Sequence, residues 1–362
     1  ITPYYRNSNF ESIFNTAVWN NNYIYKDEHH TFGLMTKYRH DFDTFNTRLT
    51  TGVDFEHSPG SFKETAITVT RNILPSGASQ SVSYVDGASN YDYDATYKVV
   101  SPFAQAEFSP IASIPLRITT GVRYDHITWD YDNHLTSKTS SCSSTNGLVC
   151  RPESTSLSYD HVSPKIGATY QLTQKTTVFA NYSEGFRAPY HNNLFRGGGN
   201  AGTIDLKPVE ATQKEVGIRG NVLGKADYSV SLFELEKEND IIGYKDPATP
   251  TVITSVNNGK TSHKGIEIAT GINVTDTLRA DVAYSYTRHK YDSWIASGVD
   301  YSGKNIEVAP NTLSNVMLTY SPSWLKGGKI SGEWYHSGEF WSDAANTVAG
   351  KADSFNVYNI RA

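Results

Sequence analysis

Apolar and polar side chains alternate at every second position through most of this chain, and the alternating segments are joined by links that are short and long by turns. In 278–287, Leu278, Ala280, Val282, Tyr284 and Tyr286 share one face, with Arg279, Asp281, Ala283, Ser285 and Thr287 on the other. Ile266, Ile268, Thr270 and Ile272 oppose Gly265, Glu267, Ala269 and Gly271 in the same way. So do Val216 and Ile218 against Glu215, Gly217 and Arg219, and Ile118, Val122 and Tyr124 against Arg117, Thr119, Gly121 and Arg123. A repeat of two is the repeat of a strand, and helical periodicity is hard to find. A soluble sandwich also has one apolar and one polar face, so alternation does not choose between sandwich and barrel.

The connections choose. Alternation predicts strands at 1–14, 29–42, 44–58, 97–108, 114–130, 158–171, 175–186, 211–223, 226–241, 254–273, 277–290, 310–321, 328–342 and 354–362. Many reach the roughly 9–11 residues that a tilted strand needs to cross a bilayer. Short turns fall at Asp43, 109–113, 172–174, 224–225, 274–276 and 322–327; between them lie longer links at 15–28, 59–96, 131–157, 187–210, 242–253, 291–309 and 343–353. Short turns on one rim and long loops on the other are the pattern of an outer-membrane barrel, and a sandwich has no reason to keep it. The expected fold is all-β, a transmembrane antiparallel β-barrel. Strand edges left open in hydrocarbon are not tolerated, so the fourteen strands either close on themselves or belong to a larger barrel.

Composition agrees where it bears on this. Mean hydropathy is -0.47, which a barrel with a polar lumen allows, because half of its strand residues are polar. No run approaches the ~18 apolar residues of a membrane helix. The 24 Tyr, 15 Phe and 6 Trp include Tyr124, Trp129, Tyr131, Tyr284 and Tyr286 near strand ends, where amphipathic rings favour the membrane interface. A net charge of -5 argues against a nucleic-acid partner. Cys142 and Cys150 lie in a Ser/Thr/Asn-rich segment; their spacing matches no zinc or redox motif and fits a small disulfide loop formed in an oxidising compartment. The chain begins at Ile1 in mid-pattern with no signal peptide, which reads as a processed chain or a fragment.

Several runs then point to one family. The stretch 178–189 (VFANYSEGFRAP) is followed by LKPVE at 206–210 and KEVGIR at 214–219. FAQAEF at 103–108, GVRYD at 121–125, VNNG at 256–259 with GIEI at 265–268, and YNIRA at 358–362 complete the set. Together, and in this order, they resemble the barrel of TonB-dependent outer-membrane receptors of the siderophore-receptor type. The resemblance implies a 22-stranded barrel filled by an N-terminal plug and driven by a TonB–ExbB–ExbD complex, in the outer membrane of a Gram-negative bacterium. On that register the whole chain, 1–362, is a partial barrel domain carrying about strands 7 to 20, with the plug and the terminal strands outside it. The function implied is active import of a ferric-siderophore complex, the complex being cargo and no cofactor being required. The alternatives are a haem or other large-ligand receptor of the same fold, and a passive porin-like channel.

Ligands in this family meet the barrel wall and loops at the extracellular mouth. The candidates there are Trp129, Tyr131, Arg187, Tyr190, His191, Arg196 and Tyr286, since rings pack organic frames and cations meet anionic complexes. His191 follows the FRAP run closely and resembles the axial-ligand region of haem receptors, although TIDL at 203–206 replaces their usual box; an exposed loop histidine is the plainer expectation. Asp86, Asp92 and Asp94 contain oxygen donors but lack the spacing of a calcium loop, and no metal site is expected. GGGN at 197–200 lacks the Lys-Ser/Thr of a phosphate loop. No nucleophile stands at legible spacing from a base, so transport is expected rather than catalysis. Glu107, Arg117, Arg123, Glu215, Arg219, Glu267, Arg279, Asp281 and Glu333 are expected in the lumen, because Lys or Arg facing lipid at mid-bilayer costs roughly 2–4 kcal/mol.

Overall fold

The structure is a computed structural model, and it describes all residues except 17–20, 78, 138–142, 145–146, 197–200, 246–252 and 297. Fourteen strands follow one another in a single antiparallel path, each paired with its neighbour in sequence. They are β1 (Thr2–Thr16), β2 (Asn21–Met35), β3 (Thr47–Ile73), β4 (Ser79–Phe108), β5 (Leu116–Asn133), β6 (Thr155–Thr173) and β7 (Thr176–Arg187). Then come β8 (Val209–Val222), β9 (Ala226–Lys245), β10 (Ile253–Asn273), β11 (Leu278–Ala296), β12 (Thr312–Tyr320), β13 (Ile330–Ser337) and β14 (Phe355–Arg361). Among the described residues β1 pairs only with β2, and β14 only with β13. No described helix is long and apolar enough to cross a membrane; strands do the crossing.

The register puts the alternation to work. Ala180, Val216, Leu232, Ile266 and Tyr286 form one row across five strands, and Val178, Ile218, Val230, Ile268 and Tyr284 form the next. Val122, Val162, Ile166, Val216 and Leu232 are each about half exposed, an apolar belt far too extensive for a surface in water. The opposite face carries the charges, and they pair. Arg117 meets Glu107 at 3.3 Å, Arg123 meets Asp54 at 2.6 Å and Asp125 at 2.8 Å, and Arg279 meets Asp281 at 2.8 Å. Glu333 accepts from Asn315 and Arg361. The apolar face is therefore the lipid face, and the charged face is the lumen.

On the short-turn rim, the β8–β9 hairpin closes through Leu223 (φ 53°) and Gly224 (φ 71°), with Lys225 N–H donating to the Val222 carbonyl at 3.0 Å. Two consecutive left-handed residues are what a tight turn needs to match strand twist. The expected strand 29–42 is broken: β2 stops at Met35 and the pairing resumes at Tyr38–Phe42. Between them Thr36 uses its side chain in the ladder, its hydroxyl donating to the Val53 carbonyl at 2.7 Å and accepting from Val53 N–H at 2.8 Å.

The long-loop rim departs further from expectation. The link expected at 59–96 is mostly a tall hairpin, with β3 and β4 paired from Arg48↔Glu107 to Ile73↔Ser79. Above the lipid belt the inward face mixes Phe62, Tyr91, Tyr93 and Ala95 with Glu64 and bulges interrupt the register, so no regular alternation marks the strand there, yet backbone pairing continues. Asp86, Asp92 and Asp94 accordingly sit on β4. Asp92 bonds Lys63 and His134, and Asp94 also meets His134.

Candidate functional site

The link between β7 and β8 folds inward. β7 ends at Arg187, Pro189 is fully buried, and a single helical turn, α1 (His191–Phe195), follows. His191, Leu194 and Phe195 lie on one side of that turn and are buried. They land on Phe62 of β3, Tyr91, Tyr93 and Ala95 of β4, and Trp129 and Tyr131 of β5, with Leu206 completing one apolar cluster. Tyr93, Trp129 and Tyr131 share the lumenal face with Arg123 and Asp125, so the link occupies the lumen. Phe195 stacks on Tyr131 with centroids 4.2 Å apart and meets Tyr93 edge-on at 6.0 Å, arrangements that aromatic quadrupoles favour.

Polar groups fasten the same link. Arg196 forms an ion pair with the buried Glu64 and lies over the Phe62 ring at 4.8 Å; Asn90 donates to the other Glu64 oxygen at 3.0 Å. Thr203 Oγ1 donates to the Leu194 carbonyl at 2.8 Å. Asn257, in the VNNG run, accepts from Lys207 N–H at 2.6 Å and donates to the Lys207 and Asn239 carbonyls. That run thus clamps the returning end of the link to the next hairpin.

His191 is at the centre. Its Nδ1 is hydrogen-bonded to the Tyr93 hydroxyl at 3.0 Å, and its Nε2 lies 3.7 Å from Asp27 Oδ2. His29 Nε2 is 2.7 Å from Asp27 Oδ1, and the two imidazoles meet edge-on at 5.2 Å. Burial pushes the His191 imidazole down to about 4 against the opposing pull of Asp27. The exposed loop histidine expected from sequence is therefore corrected: the aromatic floor covers it.

Beside this cluster the wall and the turn after β7 enclose a cavity of about 700 Å³, within the size range of small-ligand sites. Trp129, Arg187, Tyr190 and His191 line it together with Tyr97, Arg123, Asp125 and Phe186. Arg123 is neutralised by its two aspartates. Arg187 is freer, 4.0 Å from Asp240 and over the exposed Tyr190 ring at 5.6 Å. The surface offers rings, one accessible guanidinium and hydrogen-bonding edges, a set suited to gripping a bulky organic ligand rather than to bond-breaking.

The structure brings four of the seven candidates, Trp129, Arg187, Tyr190 and His191, to this cavity. Tyr131 and Arg196 lie behind it, one under Phe195 and the other on Glu64, holding the link. Tyr286 is elsewhere: it pairs with Ile266 and Thr312 on the lipid face. Trp129 and Tyr131 in turn are not interface anchors, because the register turns both inward. Cys142 lies outside the described residues; Cys150 is buried and disulfide-bonded. Asp27, His29, Glu64 and Tyr93 escaped the sequence reading. Their only signal was Asp27 and His29 sharing a face at i, i+2, and nothing local pairs them with a residue at 191.

The whole sequence, residues 1–362, matches the family described as TonB dependent receptor-like, beta-barrel. The chain belongs to that family. This receptor barrel is 26% identical over 204 residues to the ferrioxamine receptor of Yersinia enterocolitica, 56% of this chain and 26% of that protein. It is 28% identical over 217 residues to the catecholate siderophore receptor Fiu of Escherichia coli O157:H7, 56% of this chain and 27% of that protein. Among solved structures, the siderophore receptor PiuA from Acinetobacter baumannii superposes with a TM-score of 0.66 at 19% identity, covering 94% of this chain and 50% of that one. The barrel thus spans only part of the length of the receptors it matches. Membership places it in the Gram-negative outer membrane, in a family of receptors and transporters.

Proposed function

We propose that this barrel is part of a receptor that imports a ferric-siderophore complex across the outer membrane by TonB-driven transport, with the complex as cargo and no resident cofactor. The observation that carries the reading is the family match over all 362 residues, reinforced by relatives named as ferrioxamine and catecholate siderophore receptors. The complex would be gripped at the cavity under Arg187 and Tyr190, where a guanidinium meets anionic donor groups and rings pack the ligand frame. In this reading further strands close the barrel, because the edges of β1 and β14, unpaired among the described residues, need partners in lipid, and a plug of the kind the family resemblance implies fills it. The TonB–ExbB–ExbD complex supplies the energy through that plug. Haem is less well supported: His191 is buried, with one ring nitrogen bonded to Tyr93 and the other facing Asp27.

Uptake of radio-iron presented on hydroxamate and catecholate siderophores, haem and ferric citrate tests this in cells carrying the receptor as their one iron route. We expect uptake of at least one siderophore complex, abolished without TonB, and weakened by Arg187→Ala together with Tyr190→Ala. Uptake that persists without TonB would return the passive-channel reading; haem as the sole accepted source would return the haem reading.

A further inference from the structure

Asp27, His29 and His191 bring three donors to one point from two distant parts of the chain, and all three ligand atoms lie within 4.8 Å of one another. We propose that these residues bind one divalent first-row transition ion, with zinc the best match, which pins α1 and its link to strand β2. The proposal concerns the wall itself and does not depend on which cargo is carried.

The chemistry of the donor set comes first. Two imidazoles and a carboxylate are borderline ligands, suited to zinc and its neighbours, whereas calcium and magnesium prefer oxygen and copper(I) prefers sulfur. Zinc bonds of about 2.0–2.1 Å hold neighbouring donors a little over 3 Å apart in a tetrahedron. Here His29 Nε2 is 2.7 Å from Asp27 Oδ1 and His191 Nε2 is 3.7 Å from Asp27 Oδ2, and one donor atom of each residue lies within 4.8 Å of the other two. Side-chain rotation would draw this set onto one ion.

The surroundings then fit. Asp27 Oδ1 is buried and meets the His29 imidazole, with Nε2 2.7 Å away, at an angle poor for a hydrogen bond. Such an oxygen costs free energy unless something positive meets it. The Tyr93 hydroxyl at His191 Nδ1 is the outer partner that metal-binding histidines characteristically have; when Nδ1–H donates to it, Nε2 keeps its lone pair toward Asp27. His29 needs Gly60: a Cβ there would come 2.1 Å from His29 Nδ1. His29 and His191 both border the cavity, which leaves room for a further ligand such as water.

The test uses the purified full-length receptor in detergent, stripped with a chelator and titrated with Zn²⁺ against a chromophoric competitor, with Co²⁺ as a spectroscopic probe. The expected result is one equivalent, lost in His29→Ala, His191→Ala and Asp27→Asn and retained in His30→Ala, whose imidazole is exposed and bonded to Tyr5. Tyr93→Phe should weaken binding by about 10-fold without removing a donor, and Zn²⁺ should protect the 188–208 link from proteolysis in the parent but not in His29→Ala. Far-UV circular dichroism and heat-modifiable gel mobility certify that each variant is folded. Absence of binding in the folded parent, or binding indifferent to all three donor substitutions, overturns the proposal and leaves a hydrogen-bonded His–Asp–His cluster. Siderophore uptake is scored separately, so the two readings can fail independently.

Discussion

At the scale of single residues, the site depends on a few buried polar groups whose partners come from far along the chain. Glu64 is the clearest. It is buried, pairs with Arg196 and accepts from Asn90, so removing its carboxylate leaves a guanidinium pressed against Phe62 without its ion-pair partner. Breaking a fully buried pair costs roughly 3–5 kcal/mol; Arg196 keeps some contact with water, so Glu64→Ala is expected to favour opening of the 188–208 link by about 2 kcal/mol. Limited proteolysis should then cut the link roughly 30-fold faster, with the barrel intact by gel mobility; an unchanged cleavage rate would mean that the apolar cluster alone holds the link. The sequence exposed these residues unevenly. Arg187, Tyr190 and His191 stood out because they lie in or just after the FRAP run, whereas Asp27, His29 and Glu64 are joined to the link through His191 and Arg196, more than a hundred positions away. Tyr286 was misplaced for a related reason: a ring near a strand end says nothing about which face it is on until the register is fixed, and its partner Ile266 fixes it toward lipid.

At the scale of elements, alternation located the strands within the lipid belt and lost them above it. Between 59 and 96 the lumenal face mixes Glu64 with Phe62, Tyr91 and Tyr93 and bulges interrupt the register, yet β3 and β4 remain paired to the hairpin tip, because a ladder is held by backbone groups that composition does not report. Side-chain ties above the belt also carry a pH dependence. Directly after β5, His134 donates its backbone N–H to the Asp92 carbonyl at 3.0 Å, and its ring meets Asp92 at 3.1 Å and Asp94 at 3.4 Å. The hydrogen bond to Asp92, with the charge of Asp94 beside it, raises this imidazole above its ordinary 6.5. A raised histidine contributes stability that is complete below the unfolded value and is lost as the pH climbs through the folded one. The junction of β4 and the link after β5 is therefore expected to be tighter at pH 6 than at pH 8.5. Amide exchange at His134, corrected for intrinsic rates, should show more protection at the lower pH, and His134→Gln should flatten the difference. Equal protection at both values in the parent would mean that the Lys63–Asp92 pair carries the junction.

At the scale of the whole molecule, two facts in the sequence were enough for the architecture: period-two alternation and the parity of link lengths. What they could not supply was the inward fold of the 188–208 link, since α1 is only one turn and its buried face is set by β3, β4 and β5 rather than by its own pattern. Alternation along the paired strands also assigns each strand residue to lipid or lumen, and that assignment can be tested on one pair of neighbours. Val216 and Leu232 face each other on the outer surface, about half exposed, while Ser231, next to Leu232, points inward against Gly217 and Glu267. An arginine at 216 would stand in hydrocarbon among Ala180, Leu232 and Ile266; one at 231 would stand beside the Glu267 carboxylate. Val216→Arg should cost about 2–4 kcal/mol if the row lies near the bilayer midplane, and less toward either interface. Ser231→Arg escapes the lipid penalty and pays only for crowding a buried position, which a longer polar side chain in the lumen can relieve by reaching Glu267. Reversible urea unfolding of the receptor from lipid vesicles reads both, and the decisive quantity is the difference between the two variants, because it cancels the general cost of adding an arginine to a strand. If Ser231→Arg were the more damaging by 2 kcal/mol or so, the lipid and lumenal faces would have to be exchanged, and the inward placement of His191 and its cavity would go with them.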